Sequence, residues 1–222
     1  KVLAGAGSNA TSEACDIAKF AQEIGANGIL SIAPYYNKPT QEGLYQHYKT
    51  IAQSVEIPFM LYNVPGRTGV DLLPETAIRL FDDVKNIYGI KEATGSLERA
   101  TAIISQRENF FVFSGDDSVD FAMLASGAKG IISVTSNLVP NLKSKLVSSV
   151  MSGDFQTALK IHNDLFELNK VLFCESNPIP IKAAMYLSGL LDSLEFRLPL
   201  TNPSNETLDK LEKILKKYEV VK

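Results

Sequence analysis

The sequence holds few of the residues on which metal, redox and disulfide-rich proteins depend. Its 222 residues include no tryptophan, two histidines and two cysteines, Cys15 and Cys174. Two cysteines cannot build a disulfide framework, so we expect free thiols in a reducing, cytoplasmic compartment. Neither cysteine has a histidine close by in the sequence, and we expect both to be buried filler rather than nucleophiles.

Long apolar runs and strong charge are absent as well. No stretch approaches the roughly 18 apolar residues that would suggest a membrane span, so we expect none, and we expect no signal peptide. The net charge is −3, without an acidic or basic run, so nucleic acid gains little support as a partner. An apolar fraction of 45% indicates an ordinary globular protein with a core.

Short β-rich runs alternate with amphipathic helical patterns over residues 1–153. Nearly continuous apolar strands separated by helices indicate a parallel sheet covered by helices. Glycines suit several of the predicted helix ends. The predicted strands are 2–6, 28–33, 58–62, 87–91, 110–114 and 130–134, and the predicted helices are 12–24, 41–54, 74–83, 96–106, 117–126 and 140–151.

The remainder, residues 154–222, has no strand pattern. It contains two proline-rich breaks, which separate three predicted helices at 155–174, 179–190 and 205–218. We therefore expect an all-helical C-terminal region behind an α/β body of residues 1–153.

Two architectures fit the α/β body. A doubly wound sheet binds ligands at a switch point of the strand order, whereas a (β/α)8 barrel places its chemistry at the carboxyl ends of many strands. Nearly every predicted strand ends in reactive or loop-forming residues, which favours the barrel. Because only six strands are predicted and Lys1 lies close to the first of them, we expect a barrel lacking its first two βα units, with residues 1–153 supplying strands 3 to 8.

The strand at 87–91 ends in a lysine and is followed by a loop of small residues. Burial disfavours the ammonium form of a lysine, lowers its pKa and frees the amine as a nucleophile towards carbonyl carbon. The alternative is that Lys91 extends its charged head into water. Two other residues favour the first interpretation, since Tyr62 ends the preceding strand with a proton-transferring phenol and Arg67 follows it with a carboxylate-binding group.

Other strand ends support weaker interpretations. The segment GAGSNA at 5–10 fits the dinucleotide fingerprint loosely, but the next strand does not close on an acidic residue, so a tight βα turn is favoured. Tyr35 and Tyr36 suit an interface, a pocket wall or ordinary packing. The segment SGDD at 114–117 could suggest a metal site, but both histidines lie in predicted helices, so we expect a helix cap and no metal.

Taken together, the motifs resemble the pyruvate-dependent, lysine Schiff-base family of dihydrodipicolinate synthase and N-acetylneuraminate lyase. The resemblance runs through the whole chain in the order GAGSNAT, PYYNKPTQEGLYQHY, LYNVPGRTG, GIKEATG, SGDD, GIISVTSN and NPIPIKAA. The arginine of NVPGRTG favours the dihydrodipicolinate synthase branch. That branch implies condensation of pyruvate with L-aspartate 4-semialdehyde to 4-hydroxy-tetrahydrodipicolinate, in lysine and diaminopimelate biosynthesis.

The resemblance implies a role for five residues at the strand ends. Lys91 would form an imine with pyruvate, so that no separate cofactor is needed, and Tyr62 would shuttle protons. Arg67 would hold the carboxylate of the second substrate. Gly115 and Ile132 would line the pyruvate pocket, mostly through backbone atoms.

The resemblance also implies a homotetramer built as a dimer of dimers. Tyr36 would reach across the dimer interface and join the proton relay of the partner's site. Asn9, Glu13 and Tyr35 match positions that bind L-lysine as an allosteric feedback inhibitor in some homologues. The alternative for these three residues is a structural cap with interface packing.

One family feature has no counterpart here, a Gly-Thr-Thr-Gly-Glu loop after the second strand. Its threonine would bind the pyruvate carboxylate and link Tyr62 to Tyr36, so its absence leaves the activity of residues 1–222 alone in question. Three other functions stay open: a sister aldolase acting on a sugar acid or other aldehyde, which Arg67 disfavours, a catalytically inactive ligand-sensing barrel, and a nicotinamide oxidoreductase.

Overall fold

The structure is a computed structural model that describes residues 1–218, and the chain divides into two compact units. The first unit holds residues 1–116 and 122–132, and the second holds residues 117–121 and the chain from 133 onwards. The predicted division into residues 1–153 and 154–222 stays a prediction. The last four residues of the second predicted region, 219–222, lie outside the described residues.

Six strands form one parallel sheet in the first unit, and their order in the sheet follows the chain. After each strand the chain therefore crosses back to the end of the sheet where the next strand begins, as in part of a (β/α)8 barrel. The predicted strands and their parallel arrangement are confirmed. They are β1 (Leu3–Gly5), β2 (Gly28–Ile32), β3 (Phe59–Asn63), β4 (Ile87–Glu92), β5 (Phe111–Ser114) and β6 (Gly130–Ile131).

Helices connect the strands and continue beyond the last one. Within residues 1–218, no helix has both the length and the apolar character that crossing a membrane requires. The helices are α1 (Thr11–Glu23), α2 (Gln41–Gln53), α3 (Pro65–Thr68), α4 (Pro74–Asp83), α5 (Leu97–Ile104), α6 (Asp120–Ala125), α7 (Pro140–Met151), α8 (Phe155–Val171), α9 (Ile179–Leu187) and α10 (Asn205–Lys217).

An extra residue in β4 sets the register of the two central strands. Phe59 pairs with Ile87, but the next residue of β3 pairs with Gly89, so Tyr88 is bulged out of the ladder. The remaining residues of β3 are consequently matched one position further along β4. The shift places the carboxyl ends of the two strands level with each other.

The second unit is organised around a buried ion cluster. The Lys143 ammonium nitrogen lies 2.6 Å from Asp117 Oδ1 and 2.8 Å from Asp120 Oδ2, and all three side chains are almost fully buried. Asp117 also accepts hydrogen bonds from the backbone N–H groups of Val134, at 2.8 Å, and Thr135, at 3.3 Å. These bonds draw the backbone after β6 into a short 3-10 turn, which is why this strand ends before the predicted residue 134.

Both cysteines are free thiols, as predicted. The expectation that both are buried filler is wrong, because Cys174 is exposed and Cys15 is partly exposed. Each cysteine lies on or next to a helix that has one side facing solvent. The spacing of apolar residues in the sequence did not show on which side of the helix each cysteine lies.

Candidate active site at the ends of the strands

The carboxyl ends of β3 and β4 hold the predicted nucleophile and the predicted phenol side by side. Tyr62 and Lys91 are register partners, so their side chains project from the same face of the sheet. The Lys91 nitrogen lies 4.2 Å from the centre of the Tyr62 ring. Burial raises the pKa of Tyr62, and the positive charge of Arg67 partly offsets that rise. The phenol therefore stays protonated at neutral pH and stands where it can exchange a proton beside the amine.

Gly115 makes room for the lysine side chain. It follows β5, and its N–H donates to the backbone oxygen of Glu92 at 2.9 Å. A Cβ atom at this position would lie 2.8 Å from Lys91 Cε and 2.7 Å from Ala93 Cβ. Ile132 stands at the end of the next strand, where its N–H donates to Ser114 O at 2.8 Å. The structure thus places Gly115 against Lys91 at the end of the neighbouring strand β5, and Ile132 at the end of β6, one strand further along the sheet.

Arg67 lies on α3, a single helical turn where the sequence predicted a loop. Pro65 begins the turn, and Gly69 ends it with a φ of 75°, a left-handed conformation that favours glycine. The arginine is exposed on the turn, and its charge acts on the phenol of Tyr62. A guanidinium is therefore held near the amine and the phenol, where it can bind a carboxylate.

Tyr36 occupies a strained and exposed position. Its φ is 75°, although it is not a glycine, and its side chain is 88% exposed. Its backbone N–H donates to Thr68 O at 3.1 Å, which ties the loop to α3. The structure fixes the backbone of Tyr36 beside the arginine turn but leaves the phenol in solvent rather than packed against the Lys91–Tyr62 pair.

The three residues of the predicted lysine site lie around the start of α1. The Asn9 side chain donates to Tyr35 O at 3.0 Å, and Asn37 donates back to Asn9 O at 2.8 Å. Glu13, in the first turn of α1, accepts a hydrogen bond from Ser8 Oγ at 2.7 Å. The amide and the aromatic residue are thus directly joined, and the carboxylate is anchored one turn away.

Four polar residues close to the site were not assigned a role from the sequence. They are Asn63, Asp71, Glu92 and Arg99, and the first and third are fully buried. Glu92 is a buried carboxylate at the end of a largely apolar strand, and such a group needs partners when it is buried. That requirement is the signal by which the sequence could have identified it.

Comparison with known proteins identifies the group to which this arrangement belongs. A family model described as the dihydrodipicolinate synthetase family matches residues 1–218. The chain belongs to this family. The 4-hydroxy-tetrahydrodipicolinate synthase of Aliarcobacter butzleri (strain RM4018) is 86% identical over 222 residues, which are 100% of this chain and 75% of that protein. The predicted family is therefore confirmed.

Solved structures of the dihydrodipicolinate synthetase family share the fold. The enzyme from Aquifex aeolicus matches with a TM-score of 0.97 and 48% identity, over 99% of this chain and 75% of that one. A chloride-inhibited Acinetobacter baumannii enzyme complexed with pyruvate matches with a TM-score of 0.95 and 46% identity, over 99% of this chain and 75% of that one. A Cyanidioschyzon merolae enzyme with lysine bound has a TM-score of 0.95 and 36% identity, over 100% of this chain and 75% of that one. The chain thus spans about three quarters of the length of these family members.

Proposed function

We propose that this protein condenses pyruvate with L-aspartate 4-semialdehyde to give 4-hydroxy-tetrahydrodipicolinate, a step of lysine and diaminopimelate biosynthesis. The observation that carries the proposal is the Lys91 amine held 4.2 Å from the Tyr62 ring centre at the carboxyl end of a parallel sheet. The 86% identical relative bears the name of this activity.

The chemistry begins at the Lys91 amine, which attacks the keto carbon of pyruvate. Loss of water gives an imine, and loss of a proton from the methyl group gives an enamine whose carbon attacks the aldehyde of the second substrate. The amino group of that substrate then attacks the imine carbon, closes the ring and releases the Lys91 amine. Tyr62 carries protons to and from these atoms. The covalent imine serves in place of a separate cofactor.

Arg67 holds the carboxylate of aspartate semialdehyde in this proposal. This role of Arg67 is supported by the exposed position of its guanidinium on a rigid turn beside Tyr62. Gly115 and Ile132 line the pyruvate pocket, and the support is the closeness of Gly115 to Lys91 and the place of Ile132 at the same end of the sheet, bonded to Ser114 O. A bidentate arginine contact distinguishes an aldehyde that carries a carboxylate from one that does not.

The assembly we propose is a homotetramer, a dimer of dimers, in which Tyr36 enters the partner's site. An 88% exposed phenol on a backbone fixed by Thr68 supports a role outside its own subunit. Asn9, Glu13 and Tyr35 would bind L-lysine as an inhibitor, as an amide, a carboxylate and an aromatic ring suit a cationic amino acid. The two free thiols support a cytoplasmic location.

Trapping of the imine tests the proposal. Borohydride added to the full-length protein with pyruvate should attach one reduced pyruvyl group, located at Lys91 by peptide mapping, and Lys91→Ala should not be labelled. A coupled assay should show turnover with aspartate semialdehyde and little with sugar-acid aldehydes. Labelling at another residue, or preference for an uncharged aldehyde, would overturn the assignment.

A further inference from the structure

The residues that follow Tyr62 and Lys91 project to the opposite side of the same strands. Successive side chains of a strand alternate between its two faces. Asn63 and Glu92 are also register partners, and both are 0% exposed. The strand ends that carry the amine and the phenol on one face therefore carry a buried amide and a buried carboxylate on the other.

All the hydrogen-bond partners seen for the Glu92 carboxylate are donors. Its Oε1 accepts from the Thr94 N–H at 2.9 Å, and its Oε2 accepts from Arg99 Nε and Asn63 Nδ2, each at 3.3 Å. A carboxylate offers an acceptor at each of its two oxygens at this side-chain length. A glutamine would turn its NH2 group towards donors whichever way its amide was oriented.

Arg99 and Asn63 connect Glu92 to the chain that follows the arginine turn. Arg99 Nη1 lies 2.9 Å from Asp71 Oδ2, and its Nη2 donates to Leu72 O at 2.6 Å. Asn63 Nδ2 donates to Asp71 Oδ1 at 2.9 Å, while its Oδ1 accepts from the Leu72 N–H at 3.0 Å. We call Asn63, Asp71, Glu92 and Arg99 the support cluster.

We propose that Glu92 is a positioning residue for Lys91, a step that rests on the proposed function. Its side chain is fixed at both oxygens, and its backbone oxygen accepts from the Gly115 N–H at 2.9 Å. The backbone of β4 is thereby fixed directly after Lys91. Asn63 fixes β3 directly after Tyr62 in the same way, and its backbone oxygen accepts from the Ala93 N–H at 3.0 Å. The support cluster holds amine and phenol in register.

A purely stabilising role would give a different result from a positioning role. A misplacement of about 1 Å at a reacting group costs on the order of 100-fold in rate. Loss of stability alone lowers the folded fraction but leaves the rate of each folded site unchanged. The decisive quantity is therefore the rate constant of imine formation per folded site.

Glu92→Gln in the full-length protein provides the test, because it keeps the size of the side chain. At saturating pyruvate, we expect the borohydride-trapped imine to form about 10- to 100-fold more slowly per folded site. The matched control is Ile103→Val, a fully buried change on α5, the helix that carries Arg99. It should lower the unfolding temperature without slowing trapping. If Glu92→Gln does not fold, Arg99→Lys is measured by the same criterion.

Asn63→Asp adds a readout that a merely structural role would not move. The substitution is isosteric but turns a carboxylate oxygen towards the carboxylates of Glu92 and Asp71. Protonation of the new acid restores a donor, so trapping per folded site should recover at least about 5-fold between pH 8 and pH 6, relative to the wild type.

The outcomes separate this inference from the proposed function. If wild-type protein is labelled at Lys91 but Glu92→Gln traps pyruvate at the wild-type rate per folded site, the positioning role is wrong and the proposed function stands. The same holds if Ile103→Val slows trapping as much, or if Asn63→Asp shows no recovery at low pH. If the wild-type protein itself is not labelled, the proposed function fails first.

Discussion

A single methyl group placed at Gly115 should disable the Lys91 amine. In Gly115→Ala, the added Cβ would lie 2.8 Å from Lys91 Cε and 2.7 Å from Ala93 Cβ. Carbon atoms in good contact are separated by about 3.5–4.0 Å, so these atoms must move apart by about 1 Å. Ala93 has little freedom to move, and the lysine side chain therefore has to leave its place beside Tyr62.

Two effects of different size follow from this displacement. Overpacking of this kind costs about 1–3 kcal/mol in the free energy of unfolding. A displacement of about 1 Å at the nucleophile costs on the order of 100-fold in the rate of imine formation. The loss of activity should therefore greatly exceed what the loss of stability explains.

The assay measures borohydride trapping of pyruvate per folded protein, together with urea unfolding of the same sample. Gly5→Ala is the matched control, because a Cβ at that strand residue meets no heavy atom within 4 Å in the described part of the chain. We expect the control to trap pyruvate at the wild-type rate. If Gly115→Ala traps pyruvate within about twofold of that rate, the close approach of Gly115 to Lys91 does not govern the chemistry.

Three further predictions concern charge. Arg67→Ala should lower the second-order rate constant for aspartate semialdehyde by about 30- to 1000-fold while pyruvate trapping stays nearly unchanged, and an equal loss in both steps would make the arginine structural. Lys143→Met should lower the free energy of unfolding by about 3–5 kcal/mol in urea titrations, because Asp117 and Asp120 are left as buried charges, and a loss below about 1 kcal/mol would contradict this. Burial lowers the pKa of His47 from 6.5 to about 4. Between these two pH values the imidazole is therefore mostly protonated in the unfolded state and mostly neutral in the folded state. Stability should therefore fall by about 3 kcal/mol as the pH drops from about 7 to 4, and His47→Leu should lack this component of the pH dependence.

The strands and their parallel order could be predicted because their signals are local. Short apolar, β-rich runs identify the strands, and the intervening helices require crossovers. The bulge at Tyr88 could not be predicted in the same way. It is accompanied by a close approach between strands, since a Cβ at Gly89 would lie 2.6 Å from Phe111 O. No pattern within β4 reveals a neighbour that comes from β5.

The candidate site was predictable only in part, for a related reason. Lys91 and Tyr62 stand out as reactive groups at the ends of apolar strands. Glu92 stands out less, because two of its partners belong to other secondary-structure elements. Arg99 lies on the following helix, and Asn63 comes from another strand, so only folding brings these groups together. A sequence can indicate that a buried carboxylate needs donors, but it does not say which residues provide them.

The register of β4 explains why chemistry and support occupy opposite faces of the same strands. A slip of one residue would exchange Lys91 and Glu92 between the two faces. A carboxylate would then stand beside Tyr62, and an ammonium would be buried among the donors of Arg99. Two features exclude that arrangement: the bulge at Tyr88, and the hydrogen-bond donors that surround the Glu92 side chain and need an acceptor. Independent features that select the same register are what a defined active-site geometry requires.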